Sequence, residues 1–198
     1  MIGMYYSGQK LKEIKKTIDP EILSQINQII SKKNQKGVYL KEFLVADSKL
    51  YFKYLSNWVE IEDKKILNKV LSEEAKEKYN LKTLFFARKI TESGLSQLLA
   101  LEGTLPKGKD INDIVNAMKD FYAKEGWQMN IINSIKKDNQ LTLFAEYTKP
   151  NSHSFKSEEK IIISNQTFYI VSFYTIDRHW YNFKEEADEI INSIKILE

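Results

Sequence analysis

The sequence predicts an α+β fold: an antiparallel sheet flanked by helices, with an extra helical segment at the N-terminus. Three observations carry this. Strand-like stretches come in blocks rather than alternating singly with helices, which favours antiparallel pairing over a doubly wound sheet. The closing stretch, Glu159 to Leu197, reads as two strands around the turn Asn165-Gln166, followed by one amphipathic helix. Finally, only seven glycines and three prolines occur in 198 residues, too few for long flexible linkers. The expected organisation is a basic helical segment over residues 1–37 and one α+β domain over 38–198.

Taken in order, Lys10 to Lys33 reads as helix in two pieces. Leu11, Ile14 and Ile18 form one apolar stripe, and Asp19-Pro20 caps and starts the next. There Ile22, Ile26, Ile29 and Ile30 face one way until Gly37. These stripes need cover, from the main domain or a second subunit. Val38 to Ala46 fits either a strand or a short helix. Tyr51 to Leu55 reads as a strand, Ser56-Asn57 as a break and Trp58-Val59 as a return to the core. Asp63 to Tyr79 is a helical stretch with Ile66, Leu67, Val70 and Leu71 inward, and Ser72 can start a separate short helix within it.

Leu81 to Lys89 and Gly94 to Leu101 read as consecutive strands. Asp110 opens a helix through Lys124, with Ile111, Ile114, Val115, Met118, Phe121 and Tyr122 on one face and Gly126 as its stop. Gln128 to Lys136 and Gln140 to Thr148 form a hairpin around Lys137-Asp138-Asn139. Pro150 to Ser157 reads as a polar loop. Ile161 to Ile163 and Thr167 to Thr175 are the last two strands. The final helix carries Phe183, Ala187, Ile190, Ile191 and Ile194 on one stripe.

Elements in this order resemble the PsbP-like family, whose members include the extrinsic PsbP protein of photosystem II and a nuclear-import factor binding the GTPase Ran. The resemblance covers about Leu50 to Leu197. It rests on YFKYLSNWVEI, on the helix Asp110 to Lys124, and on the ending TFYIVSFYTIDRHWYNFKEEADEIINSIKIL. It implies an α/β/α sandwich around an antiparallel sheet. The strand before Trp58 departs from the family in having Leu55-Ser56-Asn57 where a proline is common. Met1 to Gly37 has no counterpart, and no family metal or partner site can be matched residue by residue.

Composition excludes several function classes. With no cysteine there are no disulfides, thiolate metal sites or cysteine nucleophiles. No apolar run approaches the roughly 18 residues of a membrane span. The net charge of +3 is uneven: residues 1–37 hold seven lysines against Glu13, Asp19 and Glu21, so the remainder is slightly acidic. Such a leader can touch anionic lipid peripherally, although a solvated helix surface is the simpler reading. Nucleic acid is not the partner expected, because the aromatic–lysine run Tyr51-Phe52-Lys53-Tyr54 lies in a body without a basic patch. The default compartment is cytoplasmic, or extracytoplasmic if a signal or anchor once preceded the chain.

Dinucleotide, phosphate-loop, nucleophile-elbow and zinc-protease motifs are all missing, so no enzyme activity is expected. Neither cofactor nor metal is expected, since His153 and His179 are the only histidines. Asp110-Ile111-Asn112-Asp113 superficially resembles a calcium loop, but helix capping explains it better. Glu185, Glu186, Asp188 and Glu189 are assigned to the solvated face of the last helix. The candidate partner-binding residues are Arg178, His179, Trp180 and Tyr181, in the turn between last strand and last helix, where interface-anchoring residue types meet. The alternative for Trp180 and Tyr181 is that they cover the edge of the core. The function expected is therefore a non-enzymatic interaction module binding a protein partner or assembly. The rival is a small-ligand-binding or membrane-associated cell-envelope protein.

Overall fold

A computed structural model describes residues 37–44, 48–63, 66–67, 71–91 and 94–197. The predicted helices of Lys10 to Lys33 lie outside the described residues. The ambiguous stretch after Val38 is a strand, β1 (Leu40–Leu44), paired antiparallel with β2 (Leu50–Leu55). A turn at Ser56-Asn57 leads to Trp58 and the short β3 (Val59–Glu60). Part of Asp63 to Tyr79 is described. Ile66 and Leu67 are helical, and α1 (Glu73–Tyr79) is a separate short helix whose Ser72 hydroxyl accepts from the Ala75 amide. β4 (Lys82–Thr91) and β5 (Gly94–Thr104) follow, then α2 (Ile111–Lys124).

α2 begins at a reciprocal cap: Asp110 accepts from the Asn112 and Asp113 amides, and the Asp113 carboxylate accepts from the Asp110 amide. The oxygen-rich sequence at its start thus serves the helix end. Gly126, at φ 77°, lets the chain reverse into β6 (Gln128–Lys137), which pairs with β7 (Gln140–Thr148). β8 (Phe155–Ser164) and β9 (Thr167–Ile176) form the closing hairpin around Asn165-Gln166. A single 3-10 turn (Asp177–His179) leads into α3 (Trp180–Ser193), and β10 (Lys195–Ile196) pairs with β2.

Seven antiparallel strands form the main sheet in the order β3-β4-β5-β9-β8-β7-β6, beside a three-stranded sheet β1-β2-β10. β9 is central, and nine of its ten residues are buried. Alternation sends Tyr169, Val171 and Phe173 to one face, where Phe183, Ala187, Ile190 and Ile191 of α3 join Leu50, Phe52 and Trp58 in one core. Phe168, Ile170 and Tyr174 go to the other, packing with Ile111, Ile114 and Val115 of α2. The sheet is therefore sandwiched between helical layers, the α+β arrangement that the pattern predicts.

Two sequence readings need correction. Residues from Phe155 through Lys160 belong to β8 instead of a polar loop and the approach to the strand. Ser157, Glu158 and Glu159 are buried there, and their polarity disguises a strand interior. Glu186 likewise does not lie on a solvated face of α3. Its carboxylate accepts from Trp58 Nε1 at 2.7 Å and from Lys89 Nζ at 2.6 Å. The Glu186 and Lys89 side chains are only 12% and 11% exposed. Asp188 pairs with Lys184, whose ammonium also lies 3.6 Å from Glu158. Of that acidic run, Glu185 and Glu189 are the exposed members.

Candidate functional site

The apolar stripe of α2 is longer than the core it meets. Ile111, Ile114 and Val115 are buried, but Met118, Phe121 and Tyr122, one and two turns further on, are only half-buried. Beneath them a cleft of about 120 Å3 opens between the two helices and the sheet. Met118, Ala117 and Tyr122 of α2 form one wall, and Ala75 and Tyr79 of α1 with Leu71 form the other. The floor is Leu99 and Leu101 of β5 with Phe168 and Ile170 of β9. Further along β9, alternation brings Ser172 and Tyr174 to the same face, at the end of the cleft where the hydroxyl-bearing residues gather.

α1 contributes no fully buried side chain. It is held by Tyr79, whose ring meets Phe168 edge-on at 6.1 Å, and by an exposed ion pair from Glu74 to Lys124 of α2, with N–O distances of 2.6 and 2.8 Å. Surface pairs of this kind are screened by solvent and hold little. The cleft therefore has one firm wall and one lightly fastened one.

Behind the hydroxyl end lies Glu159, 0% exposed. One carboxylate oxygen accepts from the Tyr147 hydroxyl at 2.5 Å and Ser157 Oγ at 2.7 Å. The other accepts from Ser172 Oγ at 2.8 Å and the Tyr174 hydroxyl at 3.3 Å. Tyr122 extends the chain, its hydroxyl 3.1 Å from that of Tyr174. Burial pushes the Glu159 carboxyl above the ordinary glutamate value, and the four hydroxyl donors pull it back. Burial, then the nearby Glu159 charge, raises the Tyr147 and Tyr174 phenols well above the usual value.

This arrangement holds a carboxylate rather than moving its proton. Both oxygens are already occupied by donors, so Glu159 is not poised as a general base for anything entering the cleft. Glu158, its neighbour on the opposite face, is pushed up to about 7 by burial and the adjacent Asp188, with Lys184 opposing. That pair packs under α3, on the other side of the sheet. Among the described residues, no three His, Asp or Glu side chains converge as a metal site requires. No helix among them is long and apolar enough to cross a membrane.

The predicted residues at the β9–α3 corner divide. Tyr181 is 87% exposed and Arg178 is exposed, with its Nε donating to His179 Nε2 at 3.0 Å. Trp180 is 3% exposed and tilts over Phe144, ring centres 4.9 Å apart, so it supports the corner from within the core. His179 is half-buried against Gly94, and burial followed by the Arg178 charge lowers its pKa. Phe52 and Tyr54 of the aromatic–lysine run are buried and cannot serve as stacking platforms. Sequence reasoning missed the cleft and Glu159. The stripe of α2 running past its buried half was the one visible signal for the first, and a lone glutamate among strand residues gave none for the second.

No family model and no curated protein matches the sequence. Solved structures do match. The solution structure of cyanobacterial PsbP from Synechocystis sp. PCC 6803 is 16% identical, with a TM-score of 0.56 over 80% of this chain and 92% of that one. The crystal structure of the Ran-binding protein Mog1p from Saccharomyces cerevisiae is 7% identical, with a TM-score of 0.52 over 82% of this chain and 97% of that one. At such identities the likeness is one of fold. Those matches, the antiparallel seven-stranded sheet and its two helical layers give this chain the PsbP-like fold.

Proposed function

We propose that the protein is a non-enzymatic interaction module that binds a protein partner, anchoring one bulky apolar side chain in the cleft between α1, α2 and the sheet. The observation that carries this reading is the cleft itself: about 120 Å3, apolar along most of its length, and reached from the surface beside half-buried α2 residues. A pocket of this size is below the usual range for small-molecule sites, about 300–1,000 Å3, and suits a single side chain. Anchoring of that kind is how interfaces concentrate their binding energy. The saturated hydrogen bonding of Glu159 argues against catalysis in the same place. The match to the Ran-binding protein Mog1p supports a protein partner as the class, with no partner carried over.

Arg178, His179 and Tyr181 form a second proposed contact, with Trp180 as its buried support. The exposure of the Tyr181 ring favours it, because a large aromatic side chain in solvent has apolar area to gain from a partner.

Ala117→Phe fills the cleft from the α2 wall. Affinity capture from the source cells, compared between wild type and this variant at equal melting temperature, tests the anchor. We expect a protein enriched by the wild type and lost from Ala117→Phe. A partner retained equally by both would overturn the cleft as anchor. A small molecule found bound to the purified wild type by native mass spectrometry, and absent from Ala117→Phe, would replace the protein-partner reading with that of a ligand carrier.

A further inference from the structure

Large apolar side chains are exposed at eight positions among the described residues, and four of these fall in one short stretch: Val38, Tyr39, Leu40 and Leu44, each 55–57% exposed. Antiparallel register places Leu40 opposite Leu55 and Leu44 opposite Tyr51, on one side of the β1–β2 pair. Phe43 points the other way and packs with Phe52 and Phe85 in the core, so the side carrying Leu40 and Leu44 is the outer one. β1 is also an edge, with β2 on one side and no strand among the described residues on the other. The charge between the two leucines is met within the sheet. Glu42 accepts from the Tyr51 hydroxyl at 2.9 Å and lies 3.8 Å from the Lys53 ammonium. A concentration of exposed apolar residues beside an edge strand calls for cover.

Residues 1–36, outside the described residues, lead into this strand through Gly37. The second helix predicted there carries Ile22, Ile26, Ile29 and Ile30 on one stripe, with Ser24, Asn27, Gln28 and Ser31 on the other side. We propose that this stripe is the cover: Pro20 to Ser31 folds back as a helix along the outer face of β1 and antiparallel to it, with Ile30 near Leu40 and Ile22 near Leu44. Length supports the match. Ile22 to Ile30 spans about 12 Å of helix, and Leu40 to Leu44 about 13 Å of strand. The connection from Lys32 to Tyr39 reaches roughly 26 Å when extended, ample for the reversal. A second copy of the chain fits less well, because four half-exposed side chains fall well short of the roughly 800 Å2 that each partner buries in a stable complex. One short apolar stripe is the matching size. The basic segment is then part of the domain surface instead of a free arm, and Lys32, Lys33 and Lys36 are held beside the small sheet. This surface is separate from the cleft between α1, α2 and the main sheet.

The chain has no cysteine, so engineered pairs report without background. Ile22→Cys with Leu44→Cys puts one thiol on the stripe and the other on the face. Ser24→Cys with Leu44→Cys moves the first thiol to the far side of the helix. In the full chain under mild oxidation, we expect the Ile22 pair to form an intramolecular disulfide at least about tenfold faster than the Ser24 pair, because a docked helix holds only the former within bonding range. Ile26→Asp alone, in the full chain, should undock the helix and raise the binding of an apolar fluorescent dye above that of wild type. Equal rates in the two pairs overturn the proposal, since an undocked segment brings either thiol to residue 44 alike. Disulfide-linked dimers in place of the intramolecular bond assign the face to a second copy and overturn it too. Dye binding unchanged by Ile26→Asp does the same, even where a cysteine pair fails to fold.

Discussion

Glu186 offers the sharpest test of how α3 is phased on the sheet. Its carboxylate links Trp58, which is fully buried, and Lys89, whose ammonium also sits 6.0 Å from the Trp58 ring centre and 5.7 Å from that of Phe183. Replacing Glu186 with alanine removes the acceptor of both bonds and leaves the Lys89 charge largely desolvated among aromatic rings. Breaking a buried pair in this way costs about 3–5 kcal/mol. The pair here retains 11–12% exposure, so about 2–4 kcal/mol is expected after partial rehydration of the ammonium. Ile190→Ala, on the same helix but facing the sheet core, should cost a comparable 2–5 kcal/mol or so through its cavity. Glu185→Ala, one residue away and exposed, should cost no more than about 0.5 kcal/mol. Lys89→Met with Glu186→Leu replaces the pair by apolar groups and should recover the part of the loss due to the stranded Lys89 charge, remaining about 1–3 kcal/mol below wild type because the Trp58 N–H loses its Glu186 acceptor. Urea unfolding of wild type and the four variants, read by tryptophan fluorescence, measures all of this. If Glu186→Ala and Glu185→Ala are indistinguishable, the carboxylate is in solvent and the packing of α3 described above is wrong.

Two further predictions follow from buried groups. Glu158 titrates at about 7 when folded, against 4.5 for an ordinary glutamate, so the folded state binds the extra proton between those values. Stability is therefore highest at the acid end of that window and declines as pH rises through 7, by roughly 1–3 kcal/mol after allowing for screening by solvent and Lys184. Glu158→Gln should flatten the decline between pH 5 and pH 8 in urea melts. An unchanged slope would remove Glu158 as its source. At Gly103, an added Cβ would stand 2.7 Å from Phe168 Cε1 and 2.8 Å from Leu81 Cδ1, both in the wall of the cleft. Gly103→Ala should cost about 1–3 kcal/mol by overpacking, and a thermal melt at or above the wild-type midpoint would show that the ring has room to move.

Where the pattern of apolar residues alone determines an element, the sequence was enough. α2 and α3 declare themselves by three- and four-residue spacing, the β6–β7 hairpin by alternation, and Trp58 by its return after a turn. Two-residue strands such as β10 carry no periodicity, and that one exists because the chain leaving α3 passes beside β2. The failures at Glu158–Glu159 and at Glu186 have a different origin. Periodicity arguments assign carboxylates to water because burying an isolated one is costly. That rule breaks wherever distant residues supply enough donors. Tyr147, Ser172 and Tyr174 reach Glu159 from two neighbouring strands, and Trp58 and Lys89 reach Glu186 across more than 90 residues of sequence. Ser157, two residues from Glu159, is the one local donor; the others are far away in the chain, so a local window contains only a fraction of the compensation.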